Sequence, residues 1–395
     1  MIETQDPVVI VAAKRTPIGS FQGKLSSLSA PQLAAACMAG AVADAGLDGS
    51  AISEVIMGCV LPAGLGQAPA RQALLGAGLP ASVPCTTINK VCGSGMKAVM
   101  LANDLILAGS AGIVLAGGME SMSNAPYMLK KARGGYRLGH GELLDHMFYD
   151  GLQNPYDNQL MGCFAELCAD KYAFSRERQD AYAAESVRRA CAAVDEGRFR
   201  SEIAPLKVRA RSAEALVEHD ETPHQCDLAR IGSLKPAFCK DGSVTAANSS
   251  SISDGAAALL LMRRSAALKD GSQPLARILG HATFAQAPEW FTTAPIHAIT
   301  KLLGQLGWTT GDVDLYEINE AFAVVTMAAM QDLRLDHSRV NVNGGACALG
   351  HPIGATGARI LVTLIHALRN RGLRRGIASL CIGGGEATAV AVELE

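Results

Sequence analysis

The segment Asn89-Lys90-Val91-Cys92-Gly93-Ser94-Gly95-Met96 places a thiol where nucleophilic chemistry suits it. A β-strand is predicted to end at Val91. Met96, Val99 and Met100 then recur at helical spacing, so Cys92 falls on a strand-to-helix turn. Free N–H groups and the helix dipole at such a turn favour a thiolate and predict a lowered pKa. Gly93 and Gly95 are expected to let the backbone turn tightly and a substrate come close. A small buried core cysteine is the alternative reading. Gly93-Ser94-Gly95-Met96-Lys97-Ala98 also matches the G-x-G-x-x-A of dinucleotide-binding turns, but it comes late in the chain and lacks the acidic residue expected on a following strand.

Three more turns carry suitable groups. In Asn341-Val342-Asn343-Gly344-Gly345-Ala346-Cys347-Ala348-Leu349-Gly350-His351-Pro352 a histidine stands between a glycine and a helix-starting proline. Ile360, Leu361, Leu364, Ile365 and Leu368 form the buried face of the helix that follows. A histidine so placed meets a ligand unshielded and can serve as base or oxyanion donor; otherwise it caps the turn. No G-x-x-x-x-G-K-[ST] phosphate loop occurs. Leu380-Cys381-Ile382-Gly383-Gly384-Gly385-Glu386 sets a second cysteine at a strand end, before nearly bare backbone that can aim N–H groups at an oxyanion. Asn319-Glu320-Ala321-Phe322 follows another strand, with Asn319 either functional or an ordinary helix N-cap.

The elements that must position these turns repeat. Ala30-Pro31 opens a helix that closes at Gly46 and leads to the strand-like Ile52–Val60; Ala294-Pro295 opens another that closes at Gly307 and leads to Val313–Ala321. Gly112–Glu120 likewise answers Gly376–Glu386. An α/β protein of two duplicated strand–helix halves is the expectation. Residues 121–250 are more polar and read as an ordered insertion holding one clear helix, Arg176–Asp195.

Composition sets outer limits. Of 395 residues, 49% are apolar and 18% charged, which suits a large core and excludes a disordered chain. Thirty-five basic residues nearly cancel 37 acidic ones, so no nucleic-acid footprint is expected. No apolar run reaches membrane-spanning length, and the first residues lack the pattern of a secretory signal. Eleven scattered cysteines without C-x-x-C pairs fit a reducing cytoplasm rather than disulfides. Cys163 with Cys168, or His219 with His224, are single pairs, so no metal site is expected.

Taken together, Cys92-Gly93-Ser94-Gly95, Gly117-Gly118-Met119-Glu120-Ser121-Met122-Ser123, Asn319-Glu320-Ala321-Phe322, Gly350-His351-Pro352 through Gly357-Ala358-Arg359, and Cys381-Ile382-Gly383-Gly384-Gly385 are similar to the thiolase signatures in order and spacing. The likeness runs from about Val8 to the C-terminus. It implies an α/β, thiolase-like fold of duplicated βαβαβαββ halves stacked in five layers. The domains would be 1–120 plus 250–273, a loop domain at 121–249 that covers coenzyme A, and 274–395. It implies acetyl-CoA C-acetyltransferase chemistry on acetyl-CoA, acetoacetyl-CoA and CoA, with no cofactor besides these thioester substrates. A degradative 3-ketoacyl-CoA thiolase of broader range, or a non-catalytic acyl-CoA-binding module, are the other readings. A homotetramer built from dimers is also implied.

Residue by residue, the resemblance makes Cys92 the nucleophile, His351 its base, and Cys381 the acid–base for the second substrate. Asn319 would hold a water beside the enolate, and the backbone N–H groups of Cys92 and Gly383 would form an oxyanion hole. Ser250 is expected against pantetheine, and Phe322, Phe291 and Met161 about the acyl group. The chain departs from short-chain relatives at Leu160, where a histidine is common, and at Phe291, where methionine is expected in some. Both changes bear on the length of acyl chain accepted.

Overall fold

A computed structural model describes residues 6–210 and 213–395. The first half runs β1 (Val8–Arg15), α1 (Ala30–Ala45), β2 (Glu54–Gly58), α2 (Pro69–Gly76), β3 (Cys85–Ile88), α3 (Ser94–Leu107) and β4 (Ile113–Ser121). After a long excursion containing α4 (Met161–Lys171) and α5 (Arg176–Asp195), the chain returns as β5 (Ser253–Arg263). The second half runs β6 (Ala276–Ala285), α6 (Ala294–Leu306), β7 (Leu315–Ile318), α7 (Ala323–Leu333), α8 (Thr356–Arg371), β8 (Arg375–Ile382) and β9 (Glu386–Leu394). Both anticipated helix stops hold: Gly46 and Gly307 cap α1 and α6 in the left-handed region, at φ of 65° and 67°.

The sheet order is β7-β8-β9-β6-β1-β5-β4-β2-β3, with the two-residue strand Gly19–Ser20 bonded to β5. Read outward from the β1–β6 junction, the two halves mirror one another. β5 matches β9, β4 matches β8 and β2 matches β7, the last two being the pairs the sequence repeat suggests. β3 has no full counterpart, because that place is held by a single parallel bridge between Tyr316 and Val340. The halves join through the antiparallel pairs Val9–Arg277 and Ile10–Ala276.

Strand periodicity explains the layering. On β5, Ala256, Ala258, Leu260 and Met262 face α1 and α2, while Ala257, Leu259 and Leu261 face α3 and α8. On β9, Val390 and Val392 face the same central helices, whereas Ala387, Ala389 and Ala391 face α6 and α7. Five layers result: helices, sheet, helices, sheet, helices. Strands buried on both faces need apolar residues at every position, which accounts for runs such as Ala256–Met262.

The central layer depends on small residues. A methyl added at Gly95 of α3 would stand 2.9 Å from the Ala358 nitrogen of α8. One added at Gly357 of α8 would stand 2.5 Å from the Met96 nitrogen. Gly93 is similarly filled by the side chain of Ile382. The glycines around Cys92 thus serve packing between halves, not the substrate approach expected from the sequence. The literal dinucleotide match has the same origin.

The excursion is fastened at depth. Arg15 at the end of β1 is fully buried and holds Asp220 through two hydrogen bonds of 2.6 and 2.9 Å and Glu202 through one of 2.6 Å. Removing one member of such a cluster strands a buried charge. Among the described residues no helix is long and apolar enough to cross a membrane. We expect Gly357→Ala to destabilise the fold by about 1–3 kcal/mol through overpacking, measured by denaturant unfolding, with little change where no helix–helix contact is made, as at Gly304.

Candidate functional site

The turn bearing Cys92 is held by its own side chains. The strand stops at Ile88 rather than Val91, and Val91 itself adopts φ of 46°, outside extended geometry. Asn89 Oδ1 accepts the Val91 N–H at 2.8 Å, Ser94 Oγ accepts the Lys90 N–H at 2.8 Å, and the Ser94 hydroxyl donates to Val91 O at 2.7 Å. Cys92 is thereby set just before α3, and it lines a cavity of about 360 Å³.

The thiol is not ionised by its position. Burial pushes its pKa up to about 11, although the N–H groups of Gly383 and Cys92 itself pull it down. The lowered value expected from the helix dipole is therefore corrected: desolvation of the thiolate outweighs the dipole and both N–H groups.

His351 lines the same cavity. Gly350 reaches φ of 104° just before it, where an added methyl would collide with the Ser253 hydroxyl. The His351 N–H donates to Ser251 O at 3.1 Å. Its ring does not cap the turn. The Thr356 hydroxyl donates to Pro352 O at 2.9 Å, so at 2.6 Å from His351 Nδ1 it accepts that atom's proton. Nε2 is then the bare nitrogen, buried with no hydrogen-bond partner among the described residues. Burial, aided by the charge of Arg359, holds the imidazole pKa down to about 3, so the ring is neutral.

Cys381 lies on β8 one residue before its end, buried, its pKa well above the ordinary thiol range through desolvation and through its neighbour Cys92. The turn after it needs glycine, since Gly384 and Gly385 sit at φ of 90° and 89°. Gly383 lines the cavity beside Cys92. Asn319 follows β7 and does not cap a helix, because α7 begins only at Ala323. It is 1% exposed, off the cavity wall, and neither amide atom has a hydrogen-bond partner among the described residues.

Ser250, Met161, Phe291 and Phe322 all line the cavity, as does Leu160. Ser250 is fixed by its N–H to Ala321 O at 3.0 Å. Phe291 and Phe322 meet edge to face at 6.5 Å. Sequence reasoning missed Phe148, Phe238, Met122 and Ile353, which also line the wall. Phe238 carries no periodic signal; it is placed by packing over Gly162 and against Phe322, 5.9 Å away. Cys347, in the segment leading to His351, donates its backbone N–H to Glu320 at 3.0 Å. Glu320 in turn accepts from Tyr182 and Ser186 of α5 at 2.9 and 2.7 Å.

A thiol, a bare imidazole nitrogen and a backbone N–H thus converge on one largely apolar cavity, with a second thiol beside the first. The family profiles described as thiolase, N-terminal domain, and thiolase, C-terminal domain, match residues 8–265 and 272–394. The chain belongs to the thiolase family. It is 50% identical over 388 residues to the acetyl-CoA acetyltransferase of Allochromatium vinosum, covering 98% of each chain. The Escherichia coli acetyl-CoA acetyltransferase is 50% identical over 387 residues, again 98% of each. The crystal structure of the Bacillus anthracis acetyl-CoA acetyltransferase superposes with a TM-score of 0.96 at 43% identity, covering 99% of both chains. The Ascaris suum thiolase in complex with coenzyme A gives 0.93 at 44%, covering 98% of this chain and 100% of that one. As a thiolase with a thiol held protonated, the free protein should show Cys92 alkylation by iodoacetamide that keeps rising with pH between 7 and 10. A plateau below pH 8 would point to a preformed thiolate.

Proposed function

We propose that this thiolase is an acetyl-CoA C-acetyltransferase, which condenses two acetyl-CoA to acetoacetyl-CoA and CoA, or reverses that reaction, through an acyl group carried on Cys92. The observation that carries this reading is the meeting of the Cys92 thiol, the bare Nε2 of His351 and the Gly383 N–H at one cavity.

In this reading His351 Nε2 takes the Cys92 proton as sulfur attacks the thioester carbonyl. A neutral thiol needs this help, and a neutral imidazole with its Nδ1 proton tied to Thr356 can give it. The N–H groups of Cys92 and Gly383 receive the developing oxyanion, and donors so placed contribute on the order of 10²–10³ in rate. Cys381 gives its proton to the departing CoA, leaving acyl-Cys92, a Cys381 thiolate and a His351 ring that keeps the Cys92 proton on Nε2. A second acetyl-CoA then enters, and the Cys381 thiolate removes a methyl proton. The Nε2–H of His351 and a water held by Asn319 stabilise the enolate, which attacks the acyl group. The bond to sulfur breaks, and Cys92 takes its proton back from His351. The two unpartnered atoms of the Asn319 amide suit that task.

Residues 121–249 act in this proposal as a loop domain over coenzyme A, between a first half of 1–120 with 250–273 and a second half of 274–395. Ser250 meets pantetheine, and Phe322, Phe291 and Met161 surround the acyl group. Short acyl chains are favoured in this reading because Phe291 lines the cavity and is held there edge to face against both Phe164 and Phe322. We further propose a cytoplasmic homotetramer. Eleven free cysteines suit a reducing compartment, and exposed apolar chains such as Leu138, 97% exposed, and Tyr127 suit burial between subunits.

Intact-protein mass after brief exposure to acetyl-CoA should show one acetyl adduct, absent from Cys92→Ala. No adduct from any acyl donor would sink the nucleophile assignment, and equal labelling by long chains would favour the broader-range thiolase. Thr356→Val should lower kcat on the order of tenfold to a hundredfold with KM little changed, by freeing the wrong tautomer, while Thr356→Ser keeps most activity.

A further inference from the structure

Glu120, in the Gly117-Gly118-Met119-Glu120 stretch of β4, has no part in the steps above, yet it is fully buried next to them. Its Oε2 accepts the N–H of Val60 at 3.0 Å and that of Gly354 at 2.9 Å. Its Oε1 accepts the Leu61 N–H at 3.1 Å and lies 3.6 Å from Cys59 Sγ. Cys59 to Leu61 is the turn that leaves β2 in the first half. Gly354 is three residues beyond His351 in the second.

The same strand grips Gly354 on its other side. A methyl on Gly118 would collide with the Gly354 carbonyl, and one on Gly354 would stand 2.6 Å from Glu120 Oε2 and 2.7 Å from Met119 O. Residues 118–120 therefore leave the Gly354 peptide one place to sit. Next to it, Ile353 packs with Val60, Leu61 and Met122, and with Met122 it lines the reaction cavity. We propose that Glu120 is a positioning residue for acyl transfer, whose carboxylate seats the His351 loop of one half on the Cys59–Leu61 turn of the other and so sets His351 against Cys92. This rests on the reading of Cys92 as nucleophile and His351 as its base.

The chemistry explains why a carboxylate is needed. All four partners are donors, and only an ionised carboxyl accepts at both oxygens. An amide or a protonated acid turns an N–H or O–H toward a donor, leaving a buried clash of like poles. Burial acts in the other direction and raises the Glu120 pKa to about 7, against the pull of the three backbone N–H groups. The titratable groups facing it are the thiols of Cys59 and Cys92, and its charge opposes ionisation of Cys92.

The test compares Glu120→Gln and Glu120→Asp with the unaltered enzyme, reading kcat and KM in thiolysis of acetoacetyl-CoA and the pH dependence of Cys92 alkylation by iodoacetamide. Circular dichroism checks the fold of each. Misplacement of His351 should lower kcat in folded Glu120→Gln by roughly 100-fold, with KM within about twofold. Loss of the charge should move Cys92 alkylation to lower pH. Glu120→Asp keeps the charge but shortens the reach, so kcat should fall at least about tenfold while the alkylation profile stays with the unaltered enzyme. Should the glutamine variant not fold, the aspartate variant decides alone. A folded variant with kcat close to the unaltered enzyme overturns the proposal. So does a parallel change in kcat and KM with an unmoved alkylation profile in Glu120→Gln, which marks a merely structural residue. Absence of an acyl adduct on the unaltered enzyme instead overturns the reading of Cys92 beneath it.

Discussion

The two halves of this thiolase meet at backbone, and everything at the site follows from how closely they meet. Gly95 and Gly357 let α3 and α8 touch where any side chain would hold them apart. Gly93 receives Ile382 from the second half, and Gly118 receives the Gly354 carbonyl. These contacts bring the turn of Cys92, from one half, against the strand end of Cys381 and the loop of His351, from the other. A widening of one methyl group is of the same order as the distances that govern proton transfer. Interiors as tightly packed as this transmit such displacements rather than absorbing them.

Close packing also sets the electrostatics. With water removed, charged forms are disfavoured, so the thiols of Cys92 and Cys381 are raised and the imidazole of His351 is lowered. These three groups are neutral at rest. The polarity of the site lies in fixed donors and acceptors: the Gly383 N–H, the bare Nε2 of His351 and the Asn319 amide. Such groups need no reorganisation when charge develops, which suits a reaction whose intermediates are oxyanions.

The excursion between β4 and β5 is bound to this centre by buried acids rather than by apolar surface alone. Arg15 holds Asp220 and Glu202, and Glu320 holds Tyr182 and Ser186 while also accepting from Cys347, in the segment leading to His351. Directional bonds of this kind fix the placement of the excursion more narrowly than apolar contact does.

The sequence by itself determined most of the elements and the turns that carry the candidate site. Glycine and proline punctuation marked α1 and α6, strand–glycine patterns marked β4 and β8, and motif spacing singled out Cys92, His351, Cys381 and Asn319. Such signals are local: each follows from the backbone needs of a few adjacent residues. What only the tertiary structure decided depends on residues far apart in the chain. The cavity wall of Phe148, Phe238 and Ile353, the sum of dipole and desolvation at Cys92, and the tautomer of His351 set by Thr356 are of this kind. So is the replacement of a third strand by one bridge at Val340. The glycines beside Cys92 mark the boundary: their presence was legible as a turn, but their reason is Ile382 and α8, more than 250 residues away. Burial, and hence the strength of every charge and hydrogen bond here, is a property of the packed whole.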